Sequence, residues 1–299
     1  MKKLLIWFAI GLGGLIVIIV IGATGLYLST NARFNKTYAI NVEPVPIPND
    51  QVSLARGEHW VSIHCADCHS PDLGGGPFFE DPALGIVDAP NLTSGQGGIA
   101  SDYSDKDWVR ALRHGVKKDG RSVFIMPSGY FYYFNDQDLG AIIAYLKTVQ
   151  PVDRQTRPAS FEPLAKVLYG LGAFGDLLYA ETIPHDARPP APPKGVTVEY
   201  GEYLVDANGC RSCHGHELSG GKSGDPDSPL GPNLTPGGAP GSWSEAEFLN
   251  TMRTGATPDG EQLNPGFMPW PFLGRMTDDE LSAIWLYLQA QPALETTTK

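Results

Sequence analysis

The chain has 299 residues, of which 42% are hydrophobic and only 18% charged, with 35 Gly and 26 Pro. That length suits two domains plus an extra segment, and that composition supports a packed core rather than wholesale disorder. A net charge of −11 argues against nucleic acid as a partner, since a phosphate backbone attracts a basic surface, and favours a basic protein partner.

At the start of the chain, Lys2 and Lys3 precede an uncharged, mostly apolar run of 25 residues, Leu4 to Leu28. About 20 such residues span a bilayer, and a cleaved signal peptide has a shorter core with a small-residue site after it. Residues 1–30 are therefore expected to be an uncleaved, single-pass anchor in the cytoplasmic membrane. The paired lysines put its N-terminus inside and the rest of the chain on the periplasmic or outer face. Residues 31–52 follow as a tether, which Pro44, Pro46 and Pro48 should keep extended and stiff.

Two stretches then repeat, 53–152 and 197–299. Arg56-Gly57-Glu58 corresponds to Tyr200-Gly201-Glu202, Cys65-Ala66-Asp67-Cys68-His69 to Cys210-Arg211-Ser212-Cys213-His214, and Leu73-Gly74-Gly75-Gly76 to Leu218-Ser219-Gly220-Gly221. Pro90-Asn91-Leu92-Thr93 then matches Pro232-Asn233-Leu234-Thr235, Arg113-His114-Gly115 matches Arg253-Thr254-Gly255, Asp119-Gly120 matches Asp259-Gly260, and Met126-Pro127 matches Met268-Pro269. Matches in this order over such a length mean a duplicated domain. Each copy reads as a small helical unit. Its first helix carries Gly-Glu and ends at the Cys motif. Its second opens on a capping box, Ser104 to Asp107 or Ser244 to Glu247. Its last starts at Asn135 or Thr277 and carries one apolar stripe, Leu139, Ile142, Ile143 and Leu146 or Leu281, Ile284, Trp285 and Leu288. Strand signals are weak. Residues 153–196 form a Pro-rich linker with a short amphipathic segment at 161–180, expected to pack between the domains or to lie on the membrane or a partner.

All four cysteines fall in two Cys-x-x-Cys-His motifs, the attachment pattern of c-type haem. Two cysteines on one turn reach the two vinyl groups, and the following histidine faces the iron. Cys65, Cys68 and His69, with Cys210, Cys213 and His214, are thus expected to hold two covalently bound haem c groups. Zinc needs its Cys pairs closer together, and a thioredoxin-like thiol site needs a βαβ setting. For the sixth ligand, Met126 is the sole methionine of the first copy, and Met268 matches it in register. Met252 and Met276 fall at core positions equivalent to Leu112 and Phe134. His/Met ligation raises the iron potential and favours electron transfer. Arg113 and Arg253 are candidates for pairing with haem propionates, or else serve the ends of their helices. Asn91 and Asn233 are expected to fix the loop across the haem edge. Tyr103, Trp108, Trp243 and Phe248 should pack on the macrocycle or the core. Of His59, His64, His114, His185 and His216, only His64, beside Cys65, is an alternative ligand.

These motifs resemble the cytochrome c domains of membrane-bound multihaem cytochrome c subunits that serve bacterial alcohol, gluconate and aldehyde dehydrogenases. The resemblance covers most of residues 53–294. It departs in having two haem motifs and an N-terminal apolar segment, where those subunits usually carry three haems and often a C-terminal anchor. It implies an all-α fold of two tandem cytochrome c domains behind a transmembrane helix, and a non-catalytic electron carrier. Redox partner proteins would be a membrane dehydrogenase, a quinol-oxidising complex or a terminal oxidase. Rival readings are a dihaem enzyme of peroxidase or thiosulfate-oxidising type, and a subunit whose haems wire a stable respiratory complex. A peroxidase needs an open iron position and a thiosulfate-type site an unusual ligand such as Cys. Met-Pro in both copies and four committed cysteines weigh against both.

Overall fold

The structure is a computed structural model, and it describes residues 1–222 and 228–297; residues 223–227 and 298–299 of the second repeat lie outside the described residues. In chain order the helices are α1 (Lys2–Phe34), α2 (Gln51–His64), α3 (Asp105–His114), α4 (Ser128–Phe131), α5 (Asp136–Leu146), α6 (Pro163–Gly170), α7 (Val198–Ala207), α8 (Arg211–His214), α9 (Glu245–Thr254), α10 (Trp270–Leu273) and α11 (Asp278–Gln289). Short strands are β1 (Gly76–Asp81), β2 (Gly85–Ala89) and β3 (Ser160–Phe161) in one antiparallel sheet, and β4 (Gly221–Lys222) with β5 (Leu230–Gly231) in another.

The helix starts follow local chemistry. Ser104 and Ser244 close capping boxes with Asp107 and Glu247, and the side chains of Asn135 and Thr277 cap α5 and α11. In each copy the first helix crosses the last, α2 on α5 and α7 on α11. The crossing needs glycine: a Cβ on Gly57 would overlap the Ala141 carbonyl oxygen, and one on Gly201 the Ala283 carbonyl oxygen. The stripe residues of α5 and α11 lie at this crossing, from 0% exposed at Leu139 and Leu281 to 8% at Trp285. Buried side chains of both copies form one connected core.

The domains meet through reciprocal polar contacts. Tyr203 of α7 donates to Asp138 of α5 (2.7 Å), and His59 of α2, its repeat equivalent, donates to Glu280 of α11 (2.8 Å). Arg56 bonds Asp138 Oδ1 (2.6 Å), Glu280 Oε1 (3.2 Å) and the hydroxyl of Tyr200 (3.0 Å). Burial alone would raise the pKa of Glu280, but the bond from His59 and the charge of Arg56 win and hold it down at about 2.

Three segments pack in ways that local sequence does not specify. The tether does not stand free: Tyr38 N–H donates to Gly120 O (2.8 Å), Val42 and Val45 are buried, and the Pro46 carbonyl lies where a Cβ on Gly140 would sit. The loop after the first Cys motif forms the β1–β2 hairpin, which β3 of the linker extends. The linker's amphipathic segment packs on α1 rather than between the domains. There Phe34 meets Phe124, Phe161 and Tyr169 edge-on, with centroids at 4.7, 5.0 and 5.1 Å. α1 is long and apolar enough to cross a membrane, with a mean hydropathy of 3.0 over its apolar window and no residue of that window buried.

Candidate haem sites

Both Cys motifs begin where the first helix of the copy ends. Cys65 N–H bonds Val61 O (2.9 Å) and His69 N–H bonds Cys65 O (2.9 Å); in the second copy the matching bonds are Cys210 to Val205 O (3.1 Å) and His214 to Cys210 O (3.0 Å). Four-residue spacing brings the histidine one turn beyond the first cysteine. Its ring is then fixed by backbone: His69 Nδ1 donates to Pro90 O and His214 Nδ1 to Pro232 O, both at 2.8 Å. Burial lowers the pKa of both rings, against a smaller upward pull from the proline carbonyls. A neutral imidazole with Nδ1–H committed keeps the Nε2 lone pair for a metal.

The proline carbonyl is held in turn. Asn91 Nδ2 donates to Val152 O (2.7 Å), and its Oδ1 accepts from Thr93 N (2.9 Å) and Oγ1 (2.8 Å). Asn233 does the same with Leu294 O (2.8 Å) and Thr235 (2.8 and 2.7 Å). Sequence reasoning placed the two asparagines on this loop but missed the carbonyls of Pro90 and Pro232. The motif Pro-Asn-Leu-Thr was the available signal. Leu73 and Leu218, read only as repeat positions, adopt positive φ (57° and 59°) and accept from Leu92 and Leu234 at 2.9 and 2.7 Å, closing the loop on the histidine.

A cavity of about 370 Å³ opens beside the first motif, lined by Cys65, Cys68 and His69 and by Met126. Its other walls are largely apolar, including Leu92, Ile99, Tyr103, Trp108, Leu112 and Phe131. Trp108 Nε1 is buried with no hydrogen-bond partner among the described residues. An apolar slot with thiols and an imidazole at one wall, a thioether in another and a spare N–H fits a haem with polar substituents on an apolar ring. His64 also lines the slot; its ring packs on Trp60, Phe131 and Phe134, and burial lowers its pKa to about 3. Burial pushes the thiols of Cys65 and Cys210 up to about 12, opposite to what a thiol catalyst needs.

In the second copy, Phe248 stacks on Trp285 at 5.4 Å, while Trp243 and Met268 are half-buried against the core. Met252 and Met276 are buried in the core, in keeping with their repeat positions. The two arginines bond groups at the start of a later helix. Arg113 is 1% exposed, bonds Asp136 Oδ1 (2.6 Å) and Phe134 O (2.9 Å), and does not line the cavity. Arg253 bonds Met276 O (2.5 Å), Asp278 Oδ1 (2.5 Å) and the Gly274 carbonyl. Each guanidinium thus ties its helix to the start of the last helix of its own copy. His114 and His185 pair through Nδ1 at 3.1 Å, away from the slot.

Residues 54–150 and 198–292 each match the cytochrome c family. The chain belongs to the cytochrome c family. It carries two covalently bound haem c groups, one per domain. Relatives of this cytochrome include the fructose dehydrogenase cytochrome subunit of Gluconobacter japonicus, 28% identical over 292 residues and covering 90% of this chain. The cytochrome c subunit of the quinone alcohol dehydrogenase of Gluconobacter oxydans is 26% identical over 82% of this chain. The cytochrome spans only 57% and 56% of those two subunits. It spans 98% of the diheme cytochrome c-type protein of Cereibacter sphaeroides, at 25% identity over 94% of its own length.

Proposed function

We propose that this cytochrome relays electrons on the outer side of the cytoplasmic membrane. It would link a membrane dehydrogenase or quinol-oxidising complex to an acceptor such as a terminal oxidase, with α1 as its anchor and its N-terminus inside. His69 with Met126 and His214 with Met268 hold the two irons, and Cys65, Cys68, Cys210 and Cys213 form the thioethers. Haem iron, when bound, supplies a one-electron couple. The chain's own residues do the rest: the carbonyls of Pro90 and Pro232 orient the imidazoles, Asn91 and Asn233 brace the loops that carry those prolines, and the apolar wall around Met126 keeps water away.

The observation that carries this reading is the repeat of one arrangement, Nδ1 to proline carbonyl at 2.8 Å, at both motifs. Two sites built alike suit two electron-carrying centres better than one carrier and one open catalytic iron. The dehydrogenase partner draws support from relatives that are cytochrome subunits of fructose, alcohol and gluconate dehydrogenases. Carbon monoxide tests the reading. The reduced, detergent-purified protein is expected to leave both Soret bands unshifted under the gas, because both sixth positions are filled. A stoichiometric shift at one haem would overturn the relay in favour of a dihaem enzyme.

A further inference from the structure

The segment 163–174 leaves two leucines, Leu164 and Leu171, exposed and a third, Leu168, half-buried between them. Leu164, Leu168 and Leu171 follow i, i+4, i+7 spacing and share one face of α6 and its C-cap. Leu164 is 49% exposed and Leu171 66%. The opposite face, Ala165 and Tyr169, is buried. From Pro163 to Gly175 the sequence has no carboxylate and one cation, Lys166, which donates to Asn31 Oδ1 (2.9 Å) and lies over the ring of Tyr27 (5.1 Å).

What covers this face follows from where it sits. Gly170 packs on Leu26 and Thr30, the last turns of α1. From Lys3 to Leu26, at 1.5 Å per residue, α1 rises about 35 Å, against a hydrocarbon thickness of about 30 Å. Leu26 therefore falls at the outer boundary of the bilayer, and α6 falls beside it, at the level where headgroups meet acyl chains. Tyr27 and Lys166 have the amphipathic character that this zone selects.

We infer that residues 163–174 form a second membrane contact, a shallow seat in the outer leaflet made by Leu164, Leu168 and Leu171. This rests on reading α1 as a membrane span. The seat fixes the height and tilt of the first haem domain, because Tyr169 of this segment and Phe124 of that domain both pack on Phe34 of α1. The domain is then held against the bilayer at two points and does not swing on a tether.

The test uses the full haem-loaded chain in phosphatidylcholine–phosphatidylglycerol liposomes. A nitroxide is placed singly by Leu171→Cys, by Ile16→Cys inside α1, and by Leu286→Cys on the exposed face of α11. Collision rates with oxygen and with a water-soluble nickel complex are then compared. The expected result is an oxygen-to-nickel ratio at 171 several-fold above that at 286 and below that at 16. A ratio at 171 equal to that at 286, with 16 lipid-like, overturns the seat and leaves the anchor standing. A water-like ratio at 16 overturns the anchor itself, and the seat with it. Protection of 171 from both colliders means that protein covers the face, and it also overturns the seat.

Discussion

The imidazole of His69 donates its Nδ1–H to the Pro90 carbonyl and has one nitrogen left, and His214 is held alike by Pro232. The cysteines and histidines of the motif are legible because their spacing is the chemistry. A backbone carbonyl has no letter of its own, so Pro90 and Pro232 could be seen only as part of a repeated string. Met126 and Met268 rest on register, and their substitution tests the proposed ligation. Met126→His is expected to lower the potential of one haem by on the order of 100 mV while leaving the other unchanged, as read by spectroelectrochemical titration; Met268→His should do the same to the other haem. Glu280 gives a pH prediction. Its pKa falls from the ordinary 4.5 to about 2 in the folded chain. A depressed carboxyl contributes stability fully above pH 4.5 and loses it as pH falls towards 2, here on the order of 3 kcal/mol. The groups facing it are His59 and Arg56 of α2, with the cap Thr277 on its own helix. Acid melts of Glu280→Gln should therefore show a shallower slope between pH 4.5 and 2 than the parent, with the remainder due to other ion-paired carboxyls such as Asp88 and Glu181.

At the scale of elements, caps and stripes were readable and packing was not. Asn135, Thr277, Ser104 and Ser244 announce helix starts because a cap is satisfied within three residues. Gly57 and Gly201 were visible as repeated letters, but their reason lies in a helix far along the chain. Gly57→Ala should force α2 from α5 and cost about 2 kcal/mol, measured by denaturant unfolding of the haem-loaded protein. The β1–β2 hairpin escaped notice because exposed Phe78 and Phe79 sit side by side and break strand alternation. Proline spacing spoke only to the stiffness of residues 31–52; burial of Val42 and Val45, and the approach of Pro46 to Gly140, depend on surfaces far along the chain. The end of α1 also reaches the first haem site: Phe34 packs on Phe124, two residues before Met126. Phe34→Ala is expected to cost about 3 kcal/mol and to broaden the redox wave of the first haem alone.

For the whole molecule, duplication does most of the work. Two cytochrome c domains share one connected core, and their polar seam pairs equivalent positions, Tyr203 with Asp138 and His59 with Glu280. Repeat alignment revealed the two copies; it could not reveal that the first helix of each meets the last helix of the other, because the two partners of each contact lie in different copies. The seam makes the two haem domains one body, suited to passing an electron between centres at fixed separation. Disrupting it with Arg56→Ala should leave both haems intact and slow equilibration between them, as followed by flash reduction.

The central claim is that both irons are closed by histidine and methionine. Near-infrared magnetic circular dichroism of the oxidised full chain tests it directly. A histidine–methionine charge-transfer band accounting for two haems per chain, with no high-spin signal, is the predicted result. A high-spin or bis-histidine component at either haem would contradict the account.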